Sequence, residues 1–214
     1  MIQTYIFDLD GTLLDSMHIW DDVPQRYCER TGLPYDPHMH ETFANMSLTE
    51  TSHCLQEIYG VDRSDDAIIA DINACVEEKY CTEVQLKQGA KECIEKLLNK
   101  QKKIVLLTAC DAKLAVAALK RTGIFYAFQD ILTCEQAGLS KTEPSLFTIA
   151  ATHFHTDPTS CVFIEDSLHA IESIKLAGYK AWGIYDSANE NDWEEITRNS
   201  DAVFKDLYEL EEFI

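Results

Sequence analysis

Thr4-Tyr5-Ile6-Phe7-Asp8-Leu9-Asp10-Gly11-Thr12 is the stretch from which the rest of the chain can be read. Its first four residues form a short apolar and aromatic run, the pattern of a buried strand. Charge and glycine then stop it. In an open α/β sheet, ligands bind beyond the carboxyl ends of the strands, so Asp8 and Asp10 stand where chemistry is expected.

Outward from this strand the pattern changes twice. From about Asp15 to Thr82 the spacing is helical, with no convincing strand. Met17, Trp20, Val23 and Tyr27 share one helical face, which Pro24 is expected to kink or break. Ser47-Leu48-Thr49-Glu50 has the form of a capping box, and Ser64 can cap a third helix carrying Ile68, Ile69, Ile72, Val76 and Tyr80. Beyond residue 85, strands and helices alternate. Ile104-Val105-Leu106-Leu107, Ile131-Leu132, Cys161-Val162-Phe163-Ile164 and the run from Tyr179 to Ile184 read as strands. Ala90 to Asn99, Ala112 to Thr122, the stretch opening at Pro144 and Leu168 to Ala177 read as helices. Continuous apolar strands in this alternation imply a parallel sheet covered on both faces. The expected fold is α/β: a doubly wound parallel sheet built from residues 1–14 and 86–214, with a helical cap domain, 15–85, inserted after the first strand.

The same strand-end rule gathers further polar groups. Thr108 follows Leu107, Glu165 and Asp166 follow Ile164, and Lys141 lies in the loop after Ile131-Leu132. Carboxylates at this density repel one another unless a cation joins them. Mg²⁺ is the usual hard cation where a phosphate supplies further oxygens, with Asp8 and Asp166 as direct ligands and Glu165 beside them. Thr108-Ala109-Cys110-Asp111 leads into a helix, whose free N–H groups suit a phosphate, while Asp111 can also act as its N-cap. Cys110 lacks the arginine clamp of a cysteine-dependent phosphatase. His38-Met39-His40 and His153-Phe154-His155 lack supporting ligands and read as surface histidines.

The bulk composition narrows the partners. The chain has 214 residues, 46% of them apolar, and 37 acidic against 18 basic residues give a net charge of −19. Nucleic acid and anionic membrane surfaces are therefore not expected partners. Eight cysteines without a C-x-x-C pair fit reduced thiols. No signal peptide or membrane-length apolar run is expected, which points to a cytoplasmic protein, with a monomer favoured.

In this order, these motifs resemble the haloacid dehalogenase-like hydrolase superfamily over nearly the whole chain. Phe7-Asp8-Leu9-Asp10-Gly11-Thr12-Leu13 is similar to the family's first motif and Thr108 to its second. Lys141 with Pro144 and Phe147 is similar to its third, and Val162 to Ser167, continuing to Gly178, to its fourth. The helical insertion resembles that of the subgroup containing phosphoglycolate phosphatases and β-phosphoglucomutases. The resemblance implies a Mg²⁺-dependent phosphatase acting on a small phosphate monoester, a sugar phosphate among the candidates. It implies Asp8 as the nucleophile that becomes an aspartyl-phosphate, and Asp10 as the acid and base, its backbone carbonyl on the metal. Thr108 and the N–H groups of Ala109 and Cys110 would hold the phosphoryl oxygens, Lys141 would pair with Asp8 and the phosphate, and Asp166 would hold Mg²⁺.

Two departures stand out. The third motif usually reads K-P-x-P but here is Lys141-Thr142-Glu143-Pro144, which is expected to loosen the loop and bring a negative charge near the site. Trp20 occupies the position of a histidine found in mutase relatives, which lowers the mutase reading. The alternatives are that phosphosugar mutase and, in a different class, a non-catalytic phospho-aspartate switch. True dehalogenases of the superfamily lack the aspartate matched by Asp10. A phosphonate hydrolase would need a cap lysine for a Schiff base, and the only one in the expected cap, Lys79, lies near its end, which lowers that reading. Specificity is expected from the cap, around Met17, His18, Trp20 and the stretch Phe43–Ser47, with hinges near Asp15 and Thr82–Lys87.

Overall fold

The structure is a computed structural model that describes residues 1–43 and 46–214. Strand β1 (Thr4–Phe7) is followed by the two-residue β2 (Leu14–Asp15). Five helices come next: α1 (Met17–Trp20), α2 (Val23–Thr31), α3 (His38–Phe43), α4 (Leu48–Glu57) and α5 (Asp65–Thr82). The remainder alternates: β3 (Gln85–Leu86), α6 (Ala90–Asn99), β4 (Lys103–Thr108), α7 (Ala112–Arg121), β5 (Ile131–Thr133), α8 (Cys134–Ala137) and α9 (Pro144–His153). It closes with β6 (Cys161–Glu165), α10 (Leu168–Leu176), β7 (Ala181–Ile184), α11 (Trp193–Asn199), β8 (Ala202–Phe204) and α12 (Leu207–Phe213). None of the described helices is long and apolar enough to cross a membrane.

Six strands form one parallel sheet in the order β5-β4-β1-β6-β7-β8. The chain builds outward from β1 in both directions, so the reversal of strand order, where such sheets open a crevice, falls at β1. The strands are continuous apolar runs because both faces are covered. Tyr5, Phe7, Leu106 and Ile164 face one core, which continues into the helical insertion through Tyr27, Met39, Ile68 and Val76. Ile6, Val105, Leu107 and Phe163 face the other, against Phe147 of α9 and Ile171 of α10. Burying an aromatic side chain such as Phe163, 1% exposed and edge-on to Phe147 and Tyr179, contributes about 2–3 kcal/mol. Phe163→Ala would cost roughly 3–5 kcal/mol by opening a cavity between sheet and helix.

The capping residues act as their types dictate. Ser47 Oγ accepts from Glu50 N–H at 3.2 Å, and Glu50 Oε2 accepts from Ser47 N–H at 2.7 Å, closing the capping box of α4. Ser64 accepts from the N–H of Ala67 to start α5. The face shared by Met17, Trp20, Val23 and Tyr27 is carried by two helices rather than one. Pro24 lies in the first turn of α2, where its missing N–H has no helical partner to lose.

Two features differ from the sequence reading. Asp15 is extended rather than helical: β2 pairs antiparallel with β3, Leu14 against Leu86 and Asp15 against Gln85. The chain therefore enters and leaves the helical insertion through two adjacent extended segments, joined also by Lys87 N–H to Leu13 O at 2.9 Å. The sheet also gains the edge strand β8, three residues too short to carry a periodic signal.

Candidate active site

The turn after β1 is set by backbone. Asp8 N–H reaches Ile164 O at 3.0 Å, and the N–H groups of Leu13 and Leu14 fold back onto Leu9 O. Gly11 adopts φ +79°, a conformation other residues take only with strain. A Cβ there would lie 2.2 Å from Oδ2 of Asp166, so the turn passes directly over the end of β6.

Asp8, Glu165 and Asp166 converge at that point. Each offers a carboxylate oxygen within 4.8 Å of the others, and they are 5%, 3% and 3% exposed. Lys141, also buried, donates from Nζ to Oδ1 of Asp8 and lies 2.5 Å from Oε1 of Glu165. Burial opposes its charge, but Asp8 and Glu165 outweigh that and hold its ammonium above the ordinary lysine range. Burial, and then the charge of Glu165, push Asp8 up to about 7. The same two causes, with Asp8 added, raise Asp166 well above the usual carboxylate range. One ammonium does not neutralise three crowded carboxylates.

The outer oxygens of Asp166 are held by neighbours, Oδ1 by Thr12 Oγ1 at 3.3 Å and Oδ2 by Asn189 Nδ2 at 2.8 Å. The donor set is all oxygen, buried and carries excess negative charge, which fits a hard divalent cation such as Mg²⁺. Among the described residues this is the one group of His, Cys, Asp or Glu close enough to share an ion. His38 is exposed beside Glu41, and His153 pairs with Asp130 at 3.0 Å.

Asp10 points elsewhere. Its Oδ1 accepts from Ser16 Oγ at 2.6 Å and from the hydroxyl of Tyr80, at the end of α5. Burial, and then the nearby Asp8, raise it to about 6. Burial and the Asp10 charge keep the Tyr80 hydroxyl protonated.

Thr108 ends β4 fully buried, and its Oγ1 accepts from Cys110 N–H at 3.0 Å. Asp111 caps α7, accepting from the N–H groups of Lys113 and Leu114 at 2.8 and 3.2 Å. Donors expected to face a phosphate, Cys110 N–H and those of the first turn of α7, are thus engaged within the loop, and Ala109, between Thr108 and Cys110, is exposed. Burial, and then Asp10, hold the Cys110 thiol far above its ordinary value, so it is neutral and a poor nucleophile.

The third-motif loop is tied rather than loosened. Glu143 Oε1 accepts from Ser140 N–H at 3.0 Å, and the hydroxyls of Ser140 and Thr142 are hydrogen-bonded. Glu143 does add its expected charge to the rim of the site, but Lys141 is directed inward onto Asp8.

The family model for haloacid dehalogenase-like hydrolases matches residues 5–184, from β1 through β7. The chain belongs to this family. Among curated proteins it is 23% identical to a phosphorylated carbohydrates phosphatase of Thermotoga maritima over 190 residues, covering 88% of each chain. It is 24% identical to validoxylamine A 7'-phosphate phosphatase of Streptomyces hygroscopicus, covering 98% of this chain and 96% of that one. It is 26% identical to β-phosphoglucomutase of Bacillus subtilis, covering 86% and 83%. The fold matches the crystal structure of CbbY from Rhodobacter sphaeroides with TM-score 0.84 at 18% identity, covering 98% and 96% of the two chains.

In this haloacid dehalogenase-like hydrolase a cleft of about 240 Å³ opens between the helical insertion and the sheet. It shares Ala109 and Ser140 with the loops beside Asp8, and Glu50, Asp111, Glu135 and Glu143 line it. No lysine or arginine does, among the described residues. Of the residues expected to set specificity, Ser47 lines this cleft, whereas Phe43 packs edge-on against Tyr59. His18 is exposed beside Asp15, and Trp20 bonds Tyr80. Ala44 and Asn45 of the stretch Phe43–Ser47 lie outside the described residues.

Several site residues escaped the sequence reading. Lys87 Nζ donates to Gly11 O and Tyr185 O, both at 2.6 Å, and to Asp186 Oδ2 at 2.8 Å, clamping the turn under Asp166. Asp186 follows β7, so the strand-end rule applied once more would have found it. Lys87 and Asn189 carry no local signal, and Tyr80 is masked by the apolar stripe it ends.

Proposed function

We propose that this enzyme is a Mg²⁺-dependent phosphatase of small phosphate monoesters that works through an aspartyl-phosphate on Asp8. The observation that carries this reading is the buried pairing of Lys141 with Asp8 beside Asp166, at the reversal point of the sheet. In the first step a carboxylate oxygen of Asp8 attacks phosphorus. The bond from phosphorus to the ester oxygen breaks, and that oxygen leaves with the electron pair and takes the proton of Asp10. In the second step water attacks the phosphorus of the aspartyl-phosphate and gives its proton to Asp10. The acyl phosphate P–O bond breaks, regenerating Asp8 and releasing inorganic phosphate.

Lys141 offsets the charge of the incoming phosphate and favours the ionised form of Asp8 against burial and Glu165, while Glu165 orients Lys141 from the other side. Thr108, Ala109 and Cys110 would receive the phosphoryl oxygens once Cys110 N–H turns away from Thr108. Asp8 and Asp166, with the backbone carbonyl of Asp10, would hold Mg²⁺, which supplies positive charge against the phosphoryl oxygens. Residues 15–85 act as a cap over residues 1–14 and 86–214, moving on the paired segments β2 and β3 to admit an ester to the nearly buried Asp8.

The acidic cleft beneath the cap suits an uncharged, hydroxyl-bearing leaving group such as a sugar, and disfavours a second phosphate or a carboxylate. Hydrolysis is favoured over phosphoryl return to the sugar because Trp20 stands where mutase relatives carry a histidine, and its indole N–H, donated to Tyr80, is a donor only and no proton shuttle. Phosphate release from a panel of sugar phosphates, with Mg²⁺ or EDTA and with wild type or Asp8→Asn, tests the reading. Release that needs both metal and Asp8 is expected; release that survives either loss would overturn it.

A further inference from the structure

The carboxyl group of Asp10 is held by residues of the helical insertion rather than of the sheet. Ser16 Oγ, just ahead of α1, lies 2.6 Å from Oδ1, and the Tyr80 hydroxyl meets the same oxygen. The indole N–H of Trp20 in α1 donates to the Tyr80 oxygen at 2.9 Å. An indole N–H can only donate, so Tyr80 accepts from Trp20 and turns its own hydrogen to Asp10. The tyrosine is fixed at its other end too: Arg121 of α7 donates from Nε to Tyr80 O at 3.3 Å and from its guanidinium to Val84 O. Its side chain is fully buried, with the Trp20 ring edge-on at 6.3 Å. Two donors occupy Oδ1, and among the described residues no hydrogen bond reaches Oδ2.

We propose that Tyr80 is a positioning residue for Asp10, pinning Oδ1 so that Oδ2 carries the proton exchanged with the leaving oxygen, and that Trp20 sets the direction of the Tyr80 hydroxyl. This rests on the reading of Asp10 as the acid and base. It assigns a task in the reaction to a tyrosine that is, by sequence, the last member of an apolar stripe. With residues 15–85 in this position, two donors on one oxygen hold the carboxyl in a single orientation, and fixed orientation is where much of the advantage of general acid catalysis lies.

The test compares two esters. An alkyl ester such as a hexose phosphate needs its leaving oxygen protonated; p-nitrophenyl phosphate does not. The readout is kcat/KM, which covers formation of the aspartyl-phosphate and not its later hydrolysis, a step common to both esters. Tyr80→Phe, which removes one oxygen, is expected to lower kcat/KM on the alkyl ester by roughly tenfold or more. On the nitrophenyl ester kcat/KM should fall less than about threefold. Trp20→Phe, at a partly exposed site, should move kcat/KM in the same direction by a smaller factor, and it carries the test if Tyr80→Phe does not fold. Asp10→Asn is run in parallel. Equal losses on both esters for the Tyr80 and Trp20 variants, while Asp10→Asn discriminates between them, would overturn the role of Tyr80 alone. No discrimination by Asp10→Asn would overturn the acid–base reading, and the proposal with it.

Discussion

Gly11 and Asp166 are in contact across the ends of two strands: a Cβ on Gly11 would stand 2.2 Å from the Asp166 carboxylate. No side chain fits without moving the proposed metal ligand, and φ +79° adds backbone strain. Gly11→Ala should therefore cost roughly 1–3 kcal/mol in stability and shift the Mg²⁺ dependence of activity to higher concentration. Thermal unfolding and a Mg²⁺ titration of activity check it. An unchanged Mg²⁺ midpoint would mean that Asp166 does not hold the ion.

Metal-free stability should depend on pH with a definite sign. Asp8 and Asp10 are raised to about 7 and about 6, by burial first and by neighbouring carboxylates second. An unfolded aspartate has its pKa near 3.9, so between about pH 4 and 7 the folded state binds more protons than the unfolded one. These two groups then make the metal-free protein less stable as pH rises through that window. Mg²⁺ needs the ionised carboxylates, so the rise in Tm that it produces should be larger at pH 8 than at pH 5. Differential scanning calorimetry at both pH values, with Mg²⁺ or EDTA, reads this directly. A rise independent of pH would contradict it.

Lys141 and Glu165 should separate by magnitude. Lys141→Met removes the ammonium that joins Asp8 to Glu165 and should lower kcat by roughly a hundredfold or more. Breaking such a buried pair also costs about 3 kcal/mol. Glu165→Gln keeps a hydrogen-bond acceptor for Lys141 and should retain more activity than Lys141→Met. Steady-state kinetics with denaturant unfolding distinguishes the two.

How much of this was legible in the chain follows from where the signals lie. β1, β4 and β6 are apolar runs ending in Asp8, Thr108 and Glu165-Asp166, so the sheet and the residues meeting at its carboxyl edge could be read from local pattern. Lys87, Asn189 and Tyr80 could not. Their partners are 76, 23 and 70 residues away in sequence, and contacts of that range leave no periodicity behind. Pro24 was visible as a breaker, but only the fold shows it lying in the first turn of a second helix rather than kinking one. The short β2–β3 pair and β8 carry no period; β5 is as short, but Ile131-Leu132 fills a place between two helices that the strand–helix alternation requires.

The acidic cleft makes a prediction about substrate rank. Glu50, Asp111, Glu135 and Glu143 line the cleft beside the helical insertion, with no lysine or arginine among the described residues that line it. Monophosphates of neutral or amino sugars should be hydrolysed with kcat/KM about tenfold or more above bisphosphates, pyrophosphate and phosphoglycolate. Glu135→Lys should narrow that gap. A panel ranked the other way would remove the charge argument.

The central claim, that Asp8 carries the phosphoryl group, is tested most directly by trapping. Borohydride added during turnover reduces an acyl phosphate to the alcohol, so an aspartyl-phosphate becomes homoserine at its own position. Peptide mass spectrometry should then find homoserine at residue 8, dependent on substrate and Mg²⁺. Steady phosphate release with residue 8 still aspartate, or with homoserine at another position, would contradict the account.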